Sequence, residues 1–197
     1  MPKEPKLSIE DLPEFYPRNR QEWRAWLEEN HATAPGVWVI YYKKSSGMPS
    51  LSWSEVVDEI LCFGWIDSKQ QSLDTQRYRQ LITPRKPKSV WSRINKAKIE
   101  ELIASGRMTA AGLAKIEAAK ADGSWTALDA VEALTVAPDL EVALAANETA
   151  RANFEAFPRS ARRNYLFWIE SAKRPETRQK RVEEVVRLAA QNRKTRL

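Results

Sequence analysis

The chain has one cysteine and one histidine in 197 residues. A lone Cys62 excludes an internal disulfide framework and any cysteine-rich zinc site, and a lone His31 removes most histidine-based metal and triad chemistry. There is no G-x-G-x-x-G, no G-x-x-x-x-G-K-[ST], no H-E-x-x-H and no C-x-x-C. The usual nucleotide and zinc signatures are therefore missing, and neither a metal nor a cofactor is expected. No stretch of about 18 uninterrupted apolar residues occurs, so no membrane span is expected. The opening MPKEPKLSIEDLPEFYP mixes charges and prolines where a secretory signal would carry an apolar run. A cytoplasmic protein is the expectation.

A hydrophobic fraction of 43% and eight Trp can fill a substantial core, and the length suits one large domain or two small ones. The net charge of +6 is laid down unevenly: −4 over residues 1–74, +8 over 75–99, −6 over 100–158 and +8 over 159–197. Segregation of this kind focuses potential and concentrates anionic partners. After Asp74 no acidic residue appears until Glu100, while eight Lys or Arg fall between them.

Patterning predicts a flexible arm over 1–18, an α+β domain over 19–125, a linker over 126–137 with a short helical piece, and a helical domain with a basic tail over 138–197. In the first domain, Asn19 caps a helix on which Trp23, Trp26 and Leu27 share a face. Residues 37–44 read as a strand, Ser52 to Glu55 as a capping box, and Gly64 as the left-handed residue that closes that helix. Two more strands, 65–68 and 77–83, complete a small antiparallel sheet. Helices are then expected from Ser89 to Ser105 and from Thr109 to Gly123. In the second domain they are expected over 139–145, 147–156, 159–172 and 175–190, with Pro158 and Pro175 at helix starts.

The chemistry centres on the basic run. Alternation along the strand sends Arg77, Arg79 and Leu81 to one face and Tyr78, Gln80 and Ile82 to the other. A helix starting at Ser89 would offer free backbone N–H groups and a favourable dipole to an anion. Arg79 and Arg85 would clamp that anion with paired donors, and Trp65, Tyr78, Trp91 and Asn95 would wall the pocket. Asp67 sits where a half-buried strand runs. It is either an ion-pair partner for Arg77, Arg79 or Arg85, or a general base. Asp74 reads as a turn residue, Cys62 as a packed thiol and His31 as a helix C-cap.

Two stretches resemble a known family. ILCFGWIDSKQQ with RYRQLITPRKPKSVWSRINKAKIEELIASGRMTAAG, and the later PDLEVALAANETARANFEAFPRSARRNYLFWIESAKRPETRQKRVEEVV, are similar to the YdeI/OmpD-associated family, also labelled bacteriocin-protection proteins. The second stretch resembles that family's helical OmdA-type domain. The resemblance implies a bacterial α+β protein, distantly similar in its first part to YjbR and frataxin-like domains and followed by a helical bundle. The family's names imply a link to envelope stress and bacteriocins and define no reaction.

Three functions follow as expectations. The first is a non-enzymatic stress-response protein holding an anionic small molecule or polymer at Trp65, Asp67, Tyr78, Arg79, Arg85, Ser89, Trp91 and Asn95. The second is an enzyme using Asp67 as base on a phosphorylated or carboxylated substrate. The third is salt-dependent nucleic-acid association through the basic segments. A protein partner on the C-terminal helices is a further expectation.

Overall fold

In the computed structural model, which describes residues 8–196, the chain divides into two units that meet between Trp125 and Thr126. The N-terminal unit is built on a four-stranded sheet in the order β1-β2-β4-β3, with β1 at Glu14–Phe15, β2 at Val37–Tyr42, β3 at Trp65–Ser72 and β4 at Arg77–Pro84. β4 pairs antiparallel with both β2 and β3, as expected for the small sheet. The sheet is nevertheless mixed, because β1 runs parallel to β2. The Trp38 amide donates to the Pro13 carbonyl at 2.8 Å, which draws Glu14 and Phe15 alongside β2. The expected arm is corrected over these residues: Ile9–Asp11 form a 3-10 turn and Glu14–Phe15 a strand. The first seven residues of that expected arm lie outside the described ones.

Four helices accompany the sheet: α1 at Arg20–Asn30, α2 at Trp53–Cys62, α3 at Arg93–Ala104 and α4 at Ala110–Ala121. Three begin at the caps the sequence offers. Asn19 accepts from the Glu22 amide, Thr109 accepts from the Gly112 amide, and Ser52 and Glu55 form a reciprocal box. Gly64, at φ +72°, takes the left-handed position that ends α2 and lets β3 begin at once. The principal core joins Trp23 and Leu27 of α1, Val56 and Ile60 of α2, Val39 and Tyr41 of β2, and Trp65, Ile82 and Trp91. Leu12, Trp38 and Leu81 make a small separate cluster. That division agrees with the expected alternation along β4, which sends Leu81 and Ile82 to opposite faces.

The C-terminal unit is helical: α5 at Asp129–Glu132, α6 at Pro138–Ala145, α7 at Glu148–Ala156, α8 at Arg159–Glu170 and α9 at Pro175–Ala190. Its core gathers Leu140, Leu144, Phe154, Tyr165, Ile169, Val182, Val185 and Leu188. No helix among the described residues is long and apolar enough to cross a membrane. α6 and α9 are tied by Arg178, whose Nε and Nη2 donate to the two Asp139 oxygens at 2.6 and 3.0 Å while Nη1 reaches Glu170 at 3.0 Å. The Arg178 guanidinium holds the Asp139 carboxyl below its ordinary range. A depressed folded value means the contribution is complete above the ordinary carboxylate range and is lost as pH falls through the depressed value. Thermal unfolding of the full chain and of Asp139→Asn across acid pH should therefore show the native chain's advantage shrinking as pH drops. A gap that stays constant with pH would contradict this role for the pair.

Candidate functional site

Arg85 follows directly on β4, and its amide donates to the Gly64 carbonyl at 3.0 Å, which fixes where the strand ends. From there the residue is only 3% exposed and its guanidinium lies over Trp91, with Cζ 3.5 Å from the ring centroid. Nη1 donates to the Val90 carbonyl at 3.3 Å. Nε and Nη2 are buried without a hydrogen-bond partner in the described residues. Burial pulls the guanidinium down to about 10, against the opposing charge of Asp67, so it is cationic at neutral pH.

Arg85 lines a cavity of about 80 Å³ with Lys86, Lys88, Trp91, Lys115 and Asp122. Ser89, also expected at the site, lines it too. The turn over this cavity is held by the Lys88 amide, which donates to Asp122 Oδ2 at 3.1 Å, and by the Ser89 amide, which donates to the Lys86 carbonyl at 3.2 Å. Lys88 pays for that geometry with φ of +61°, a conformation non-glycine residues adopt rarely. Asp122 is held below the ordinary carboxylate range by hydrogen bonds, chiefly from Ser124. Lys115 and Asp122 come from α4 and its C-cap, some 30 residues further on, and no local pattern in the basic run announces them.

The expected helix start at Ser89 is corrected to Arg93, with Ser92 as the cap accepting from the Asn95 amide. Both serines of Ser89-Val90-Trp91-Ser92 can cap a helix. Trp91 between them is buried in the core, and residues 89–92 form no helix. The cap of α3 thus falls at Ser92, three residues beyond Ser89, and its backbone donors begin correspondingly later. Asn95 stands in the first turn of α3, half-buried.

The remaining expected residues do not converge on Arg85. Arg79 lies with Trp38, its Cζ 4.2 Å from that ring, and is saturated by Glu10, Glu14 and Gln71 at 2.6, 2.7 and 2.7–2.9 Å. It and Arg85 share no partner. The two-arginine clamp is therefore not formed, because nearby carboxylates claim Arg79. Asp67 accepts from Trp53 Nε1 at 2.9 Å and Gln80 Nε2 at 2.8 Å and pairs with none of Arg77, Arg79 or Arg85. Neutral donors satisfy the carboxylate, while its charge still acts on Arg85 and on Tyr41. Tyr78 stacks on Tyr41 with centroids 4.8 Å apart, and burial pushes the Tyr41 hydroxyl well up. Trp65 is core, donating to the His31 carbonyl at 3.2 Å. Asp74 organises a turn, accepting from the Gln76 and Arg77 amides and from Arg77 Nε. Burial pushes the Cys62 thiol up, as suits a packed side chain. His31 caps α1, its Nδ1 2.9 Å from the Leu27 carbonyl.

A second charged cluster escaped the sequence. Glu59 of α2 is completely buried and meets Arg20 Nε at 2.6 Å, Arg24 Nη1 at 3.0 Å and Arg107 Nη2. On a helical pattern Glu59 reads as a solvent-facing residue beside the apolar stripe. The one available signal is Arg20 and Arg24, four apart on the same face of α1.

Comparison with known proteins places both units. Residues 133–192 match the family model described as Bacteriocin-protection, YdeI or OmpD-Associated, which bears out the resemblance of the C-terminal stretch. Residues 15–115 match a separate model, Domain of unknown function (DUF8412). Nothing among curated proteins or solved structures matches. The second match spans just over half of the chain, so the chain belongs to the DUF8412 family and carries a Bacteriocin-protection, YdeI or OmpD-Associated domain after it.

Proposed function

We propose that the chain is a non-enzymatic cytoplasmic binding protein of the bacteriocin-protection type, whose N-terminal unit takes an anion at Arg85. The observation that carries this reading is a buried cation that makes no ion pair among the described residues. Glu59 and Arg85 are the two charged side chains buried among the described residues. Glu59 has three guanidinium partners, whereas Arg85 has one carbonyl and the face of Trp91. Taking an ion out of water costs several kcal/mol unless a counter-charge compensates it. Three lysines at the same cavity bias the local field further toward anions. The match of residues 133–192 to the Bacteriocin-protection, YdeI or OmpD-Associated model supports the bacteriocin-protection part of this reading.

The role is tested by thermal unfolding of the wild type and of Arg85→Met with phosphate, sulfate, acetate and nucleotides. A ligand that binds only the native state at 100 times its Kd stabilises by about 2.7 kcal/mol, which is easily read. Wild type should respond to at least one small anion, and Arg85→Met should not. Met spans the same space without charge, so the unliganded variant should be as stable as wild type or more so. A retained response in Arg85→Met, or no response of the wild type to any anion, would overturn the proposal.

A further inference from the structure

We infer that the group taken at Arg85 is a terminal carboxylate, an inference that rests on the anion reading above and narrows it. The two donors left over, Nε and Nη2, form one edge of the guanidinium, whose parallel N–H bonds match the two oxygens of a carboxylate. The third nitrogen donates to Val90 and the guanidinium lies over Trp91, which leaves this edge as the unsatisfied one. The cavity of about 80 Å³ has room for the equivalent of two or three waters at roughly 30 Å³ each. A carboxylate head with one or two carbons is on the scale of that space.

Charge and polarity separate carboxylate from phosphate. Asp122 lines the same cavity and stays ionised, its carboxylate fixed by the Lys88 and Ser124 amides. A dianion entering there meets that charge twice over, a monoanion half as strongly. Trp91, Pro87, Ala118 and Ala119 line the cavity as well and give an apolar seat for an alkyl stub, which a carboxylic acid has and inorganic phosphate lacks. Lys86 and Lys88 are exposed at the turn, where a longer chain would emerge. The Lys86 to Ser89 turn at the rim of the cavity is held by the Asp122 bond and one local amide bond.

The test measures binding by calorimetry and thermal shift at matched ionic strength. The probes are acetate, propionate, phosphate, tri-alanine and tri-alanine amide, offered to the wild type and to Arg85→Lys. Acetate and propionate should bind at least tenfold more tightly than phosphate, and tri-alanine at least tenfold more tightly than its amide. Arg85→Lys should lose at least tenfold for carboxylates, because an ammonium is a point charge without the parallel edge. Tighter binding of propionate than of the peptide would name a small acid as the source, and the reverse order a peptide C-terminus; both support the inference. Phosphate binding as tightly as acetate, or full retention in Arg85→Lys, overturns the carboxylate inference and leaves anion binding standing. No response of the wild type to any of these probes removes the carboxylate inference, and silence toward sulfate and nucleotides as well removes the anion reading with it.

Discussion

Replacing Glu59 with glutamine is expected to destabilise the protein by about 3 kcal/mol or more, the usual consequence of removing one partner from a buried ion pair. Glutamine keeps the shape and can still accept a hydrogen bond, so the loss is that of the charge. Arg20 and Arg24 from α1 and Arg107 from the segment before α4 all converge on this one carboxylate. Their side chains are each about 30% exposed, so water offsets part of the loss and holds the effect at the low end of the range for a fully buried network. Neighbouring Asp58, bonded to Arg20 at 3.2 Å and Lys98 at 2.6 Å, cannot move in without giving up those partners. At about 2–4 °C per kcal/mol for a chain of this length, the melting temperature should fall by roughly 6–12 °C. Thermal or urea unfolding followed by tryptophan fluorescence measures it. A change below about 1 kcal/mol would mean that solvent alone compensates the three guanidinium groups.

What could be read from the sequence follows the range over which each signal acts. Caps and helix ends are local, so Asn19, Ser52 with Glu55, Gly64 and Thr109 were recognisable from neighbours three or four residues away. Strand alternation is local as well, and it separated Arg79 from Tyr78 correctly. The sheet edge was not legible. β1 is two residues long and has no periodicity, and its place depends on a bond from Trp38 to Pro13. The start of α3 turned on two serines that can each cap a helix, with Trp91 buried in the core between them.

The candidate site was legible by residue type and not by grouping. A basic run announces surplus positive charge, but partners distant in sequence decide which arginine is spent and which is left over. Glu10 and Glu14 neutralise Arg79 from about 65–69 residues away, whereas Arg85 meets an aromatic face and ion-pairs with no carboxylate among the described residues. Asp67 was singled out because a carboxylate in a half-buried strand needs a partner. It found two neutral ones, and one of them, Trp53, opens the helix across from it. Glu59 shows the converse. Its burial comes from the packing of α1 against α2, which no pattern within α2 encodes.

Substituting Gly112 with alanine should be destabilising, by about 2 kcal/mol or more, although the same change in most helices helps. Glycine inside a helix costs about 1 kcal/mol relative to alanine, so an exposed position would gain from the replacement. Gly112 is in the first turn of α4 with ordinary helical backbone, and the obstacle is contact. A Cβ there would lie 2.3 Å from the Cys62 carbonyl oxygen, 2.6 Å from Met108 Sδ and 2.8 Å from the Cys62 carbonyl carbon. The methionine can swing aside, but the Cys62 carbonyl cannot. It ends α2, and it already accepts from the Thr109 hydroxyl at 2.6 Å and the Thr109 amide at 3.2 Å. Relief therefore means moving α4 away from α2, with loss of the Thr109 bonds and of the packing of Ile116 and Ala119 in the core. Because Lys115, Ala118 and Ala119 of α4 line the Arg85 cavity, the shift also reshapes the candidate site. Gly112→Ala should lower both the melting temperature and the response to acetate, whereas Ala111→Gly, one position away, should cost only the ordinary helix penalty and leave the acetate response intact. A Gly112→Ala protein as stable as wild type would show that the two helices do not approach each other as closely as this contact requires.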